Sequence, residues 1–108
     1  MMTGSAEEVE PHLITYVGGV PVGRLYVITP DMFWNECRFE PLDSWKSVRP
    51  LFEQHEEAAK QGFPIDKIAA TKEILDRGVE LRPSPSEAGP PFKPSTAYVD
   101  GETARYRH

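Results

Sequence analysis

Apolar and polar positions alternate with a period of two over much of the first forty residues. His12-Leu13-Ile14-Thr15-Tyr16-Val17 is rich in β-branched and aromatic residues, and the pattern resumes from Val20 to Ile28 after Gly18-Gly19. Two extended runs around a Gly-Gly pair predict a β-hairpin. Pro21 has no amide donor, so it belongs at an edge or a bend. After a turn at Thr29-Pro30-Asp31, Asn35 to Phe39 predicts a third strand that Pro41 ends. Cys37 and Phe39 fall on one face of it, and Glu36, Arg38 and Glu40 on the other.

The period then lengthens. Trp45, Val48, Leu51, Phe52 and Ala59 recur at helical spacing, with Asp43 or Ser44 placed to cap the helix. Pro50 lies in this stripe, and an interior proline costs a helix about 3 kcal/mol. The expectation is a short helical turn over 44–49 and a main helix from Pro50, closed by Gly62. Pro64 opens a second helix, with Ile65, Ile68, Ala69 and Leu75 as its apolar side and Gly78 as a left-handed stop. Val79 to Arg82 is a short strand. Residues 83–95 hold five prolines and predict a long surface loop. Asp100-Gly101 then predicts a type I′ hairpin in which Val99 faces Glu102, Ala97 faces Ala104 and Ser95 faces Tyr106. Tyr98, Thr96, Thr103 and Arg105 occupy its opposite face. The expected fold is α+β, an antiparallel sheet in β-β-β-α-α-β-β-β order with two helices packed on one face. It forms a single domain over 12–108, after a flexible acidic tail over 1–11.

Composition narrows the partners. The 108 residues suit one domain, and 17 acidic against 12 basic residues give a net charge of −5. No run of Lys and Arg offers the positive patch that phosphates need; Arg105 and Arg107 come nearest. Nucleic acid and membrane are therefore not expected partners, although a fold can gather distant basic residues. The lone Cys37 excludes an internal disulfide, and Met1 to Pro11 is small, polar and acidic, unlike a secretory signal. Cytoplasmic residence is the expectation.

Gly23-Arg24-Leu25, Phe33-Trp34, Cys37-Arg38-Phe39-Glu40-Pro41 and Val48-Arg49-Pro50-Leu51-Phe52 resemble a family of small uncharacterised bacterial proteins. The segment Tyr98-Val99-Asp100-Gly101-Glu102-Thr103-Ala104-Arg105-Tyr106 is similar to the C-terminal hairpin of that family. The likeness covers about two thirds of the chain and departs from the pattern in the Pro-rich loop. It implies a compact bacterial domain and carries over no functional residue.

Several motifs invite chemistry. Gly18 and Gly23 have phosphate-loop separation, but Arg24-Leu25 stands where Lys and Ser or Thr are required, and a strand follows instead of a helix. His55-Glu56 begins a zincin-like pattern that lacks its second histidine, since Ala59 holds that place; no metal or cofactor is expected. Cys37 would be a nucleophile only if activated by His55 and a carboxylate, whereas its alternation with Phe39 marks it as core. Glu53, Glu56 and Glu57 with Glu36, Glu40 and Asp43 read as solvated surface among Arg38, Lys46, Arg49 and Lys60. No catalytic set emerges. Phe33, Trp34, Phe39, Trp45 and Phe52 supply core, but alternation turns Trp34 away from Cys37 and Phe39. The leading expectation is thus a non-enzymatic protein-interaction module, an adaptor, regulator or accessory subunit, binding a protein partner or a second copy. Met32, Phe33 and Trp34 are its anchors, with Phe92 in the Pro-rich loop as a further contact. The alternative is a small-ligand-binding domain or minor enzyme with a pocket between helices and sheet, using Glu36, Cys37, Arg38 and His55.

Overall fold

The computed structural model describes residues 11–29 and 34–107. Residues 1–10 of the acidic tail expected over 1–11, and Pro30 and Asp31 of the turn expected at Thr29-Pro30-Asp31, lie outside them. Six strands form one antiparallel sheet: β1 (Leu13–Val17), β2 (Val20–Thr29), β3 (Asn35–Pro41), β4 (Val79–Pro83), β5 (Thr96–Asp100) and β6 (Thr103–Arg107). Their spatial order is β4-β1-β2-β3-β6-β5. Between β3 and β4 come α1 (Trp45–Lys60), a 3-10 turn (Ile65–Lys67) and α2 (Ala69–Arg77). The α+β class and the order of elements are those expected.

The sheet has one apolar face, as a period of two requires. The register Leu13↔Leu25↔Phe39 and Cys37↔Ala104↔Val99 aligns inward side chains across five strands, and Leu81 on β4 continues them beyond Thr15. Val48 and Phe52 of α1 and Ile74 of α2 join the same core. The first hairpin turns on Gly18 and Gly19, both at positive φ as a type I′ turn demands. Pro21 sits where the β1–β2 register slips by one residue, and the extra residue, Val22, is buried. Gly23 then faces inward, and the space a side chain would take there is filled by the Phe39 ring.

Three local expectations need correction. Pro50 lies inside α1, which runs unbroken from Trp45 to Lys60. Trp45, Val48 and Phe52 reach one core from both sides of the proline, so tertiary packing offsets its cost; Pro50 is itself exposed. Ser44 occupies the N-cap position without a side-chain cap bond, and Ala58 rather than Ala59 is fully buried. Second, Pro64 opens a 3-10 turn, and α2 starts only at Ala69. That shifts the buried face to Ala70 and Ile74, leaving Ile65 88% and Leu75 70% exposed. Third, the last hairpin turns on Gly101-Glu102, with only Gly101 at positive φ, the sign pattern of a II′ turn. Val99 consequently pairs with Ala104 and Ala97 with Tyr106. Because this moves every pair by two, the side-chain faces stay as expected.

Both sheet edges are partly covered. At β4, Leu81 and Phe92 exchange backbone N–H···O bonds of 2.8 and 3.0 Å. The Phe92 ring lies 6.0 Å from Tyr106 on β6, so the Pro-rich segment spans the open side of a curved sheet rather than looping free. At β5, α1 packs alongside, and His55 hydrogen-bonds the Ala97 backbone. Each contact occupies part of the edge backbone on which strand addition would start. No helix among the described residues is long and apolar enough to cross a membrane.

Candidate functional site

The sheet face away from the core carries alternating arginines and aromatics. Outward positions are Arg82 on β4, Tyr16 on β1, Arg24 and Tyr26 on β2, Glu36, Arg38 and Glu40 on β3, and Arg105 and Arg107 on β6. Five of the chain's seven arginines are here; the other two, Arg49 and Arg77, lie on the helices. The distances are short. Arg82 stacks 3.7 Å from the Tyr16 ring centre and Arg38 4.1 Å from that of Tyr26. Arg105 lies 4.4 Å from the Tyr98 ring and 5.6 Å from that of Trp34, and Arg107 lies 5.4 Å from Trp34.

Carboxylates on this face pair selectively. Glu40 accepts from the Tyr26 hydroxyl at 2.9 Å and from Arg24 at 3.1 Å. Those two bonds, Tyr26's first, lower the Glu40 pKa, while burial and then the Glu40 bond raise that of Tyr26. Glu80 holds Arg82 at 2.6 Å. Arg105 turns towards α1, where its two terminal nitrogens reach the Glu56 carboxylate at 3.3 and 3.5 Å. Glu36 lies opposite Arg105 in the register but forms no ion pair among the described residues. Arg38 and Arg107 likewise form no ion pair among them, although the Arg38 charge adds a last, smaller contribution to lowering the Glu40 pKa.

Of the expected partner anchors, Met32 and Phe33 lie outside the described residues. Trp34 is half-buried at the end of the arginine face, 5.9 Å from Tyr98. Phe92 lies on the core side of the sheet, its ring packed against the buried cluster. The structure therefore gives Phe92 a closing role in the fold and does not group it with Trp34.

The four residues of the expected ligand set do not converge. Glu36 and Arg38 are exposed on the outer face, whereas Cys37 points inward and is 1% exposed. Burial, reinforced by the Glu36 charge, pushes the Cys37 thiol up to about 11, which leaves negligible thiolate at neutral pH. Its sulfur contacts the Asn35 carbonyl at 3.8 Å. His55 is buried on α1, stacked 4.6 Å from Tyr98 at an interplanar angle of 14°. Its Nδ1 lies 2.8 Å from the Thr71 hydroxyl, and desolvation leads the causes that lower its pKa. His12 serves the fold as well, because its Nδ1 accepts from the Val27 amide at 2.8 Å. Among the described residues no group of three or more His, Cys, Asp or Glu could hold a metal ion.

Beside His55 a cleft of ≈ 290 Å³ opens between the two helices and the start of β5. Phe63, Ile74, Leu75 and Val79 form most of its apolar wall, with Lys93 at the rim. The local chain explains Phe63. After α1, the Gly62 amide donates to Ala59 and the Phe63 amide to Ala58 at 2.7 Å, the paired bonds of a Schellman stop. Phe63 itself adopts φ 58, an unusual conformation for a bulky side chain, immediately before Pro64. Periodicity carried no signal for this cleft, because Phe63 and Lys93 come from irregular segments. No family model, curated protein or solved structure matches the chain.

Proposed function

We propose that this protein is a non-enzymatic interaction module that docks an acidic segment of a partner protein on the outer face of its sheet, around Trp34. One observation carries the reading. Arg38 and Arg107 are exposed, each lies against an aromatic ring, and neither forms an ion pair among the described residues. A guanidinium so held has lost part of its rotamer freedom, and its fork suits a carboxylate. Trp, Tyr and Arg are also the side chains that most often dominate binding energy at protein interfaces.

The same face favours protein over nucleic acid. None of the five lysines lies on a strand, and two arginines without an ion pair are few for the run of phosphates that a nucleic-acid backbone presents. An acidic peptide can place its carboxylates at Arg38 and Arg107 and its apolar groups on Trp34. With a single cysteine the chain forms no internal disulfide, and the cytoplasm is part of the proposal.

The test uses the tagged full-length chain as bait in its native host. Wild type and Lys60→Glu, a charge change on α1, should recover the same partner. The pair Arg38→Glu with Arg107→Glu should weaken binding about tenfold or more while leaving the thermal midpoint near wild type. Cross-links should map the contact to an Asp- or Glu-rich segment. Equal recovery by the double variant overturns the proposal, as does charge-dependent binding of a labelled single-stranded oligonucleotide in place of a protein.

A further inference from the structure

The cleft beside His55 is separate from the arginine face, and its chemistry is different. Its wall is mainly apolar, no carboxylate lines it, and its only ionised group among the lining residues is Lys93. Lys93 is exposed and makes no ion pair among the described residues. The volume of ≈ 290 Å³ is at the lower end of that of small-molecule sites. We propose that this cleft binds a small apolar monocarboxylate, with the hydrocarbon against Phe63, Ile74 and Leu75 and the carboxylate at Lys93.

Two further features support an occupant. Phe63 holds a left-handed backbone between the helix stop and Pro64, and that placement sets its ring at the cleft. Its ring stands at the cleft and is 41% exposed, instead of being withdrawn into the core. Leu75 on α2 is 70% exposed at the same wall, so a bound hydrocarbon would remove apolar surface that the fold leaves in water. The polar floor is already satisfied internally: His55 is held by Thr71 and by the Ala97 backbone, and Tyr98 covers one face of its ring. The floor therefore supplies shape, and Lys93 supplies the charge preference.

The probe is 3-phenylpropionate, titrated into the ¹⁵N-labelled full chain, with 3-phenylpropanamide as its uncharged counterpart. The acid should produce saturable shifts at Phe63, Leu75 and Ala97 and bind more tightly than the amide. Lys93→Gln should weaken the acid about fivefold, the size expected of one solvent-exposed charge pair, and leave the amide unchanged. Leu75→Asp should weaken both, and both positions are exposed enough to change without unfolding the chain. The idea is overturned if the cleft resonances do not saturate, or if Lys93→Gln binds the acid as wild type does. It is equally overturned if the shifts cluster at Arg38 and Arg107, because the acid would then be reporting the arginine face.

Discussion

Gly23 shows what one absent side chain does. A Cβ added there would collide with the Phe39 ring, which is itself wedged 4.7 Å from Trp45 and 2% exposed. The ring cannot swing aside, so Gly23→Ala should lower stability by about 1–3 kcal/mol, read from the urea midpoint. An unchanged midpoint would mean the strand pair shifts freely there. His55 makes a second prediction at this scale. Burial is the main cause of its lowered pKa, with the Arg105 charge acting the same way; Glu56 and the Ala97 backbone bond oppose them. The unfolded chain therefore takes up the proton first. Stability is complete above the ordinary histidine value of about 6.5 and declines as pH falls towards the folded value. The urea midpoint should drop between about pH 7.5 and pH 5, with a shallower slope in His55→Phe. Identical slopes in the two proteins would remove His55 from the account. The inward placing of Cys37 and Phe39 was legible in the sequence because strand alternation is local. His55 was not, since its partners Thr71 and Ala97 lie 16 and 42 positions along the chain.

At the scale of elements, α1 tests the weight given to proline. An interior proline deletes one helical hydrogen bond, here the one that would reach the Lys46 carbonyl, and Lys46 and Pro50 are both exposed to water. Packing of Trp45 on Phe39 and Phe52 holds the first turn in line with the rest. If the proline is only tolerated, Pro50→Ala should stabilise the protein. The helical gain of about 3 kcal/mol, less about 1 kcal/mol of restored unfolded-chain entropy, leaves about 2 kcal/mol. A loss of stability by chemical denaturation would show instead that the proline sets the angle of that turn. The buried face of α2 differs from the expected one for a related reason. The stripe assumed a helix from Pro64, but the 3-10 turn changes the angular phase, so Ile74 rather than Leu75 meets the core. A hydrophobic stripe assigns faces only when the start of the helix is known.

Over the whole molecule, charge is distributed unevenly. A net −5 conceals a sheet face on which five arginines stand among tyrosines and Trp34, although no two of them but Arg105 and Arg107 are close in sequence. Binding on such a face should weaken with added salt, because the exposed Arg38 and Arg107 are screened. The partner assay, repeated at about 0.05 and 0.5 M salt, should show that loss for wild type and much less for the double reversal. The Glu56–Arg105 pair links this face to α1, and His55 on the neighbouring position borders the cleft.

The sequence by itself determined the class of fold, the order of its elements, the first hairpin and the split of β3 into an inner and an outer face. Each of these depends on near neighbours, through alternation, glycine geometry or proline's missing donor. Tertiary structure alone decided which distant strands became neighbours, and with that the arginine face. It also decided that Phe92 closes the core and that Phe63 and Lys93 frame a cleft. Those outcomes depend on contacts between segments far apart in the chain, which no local period records.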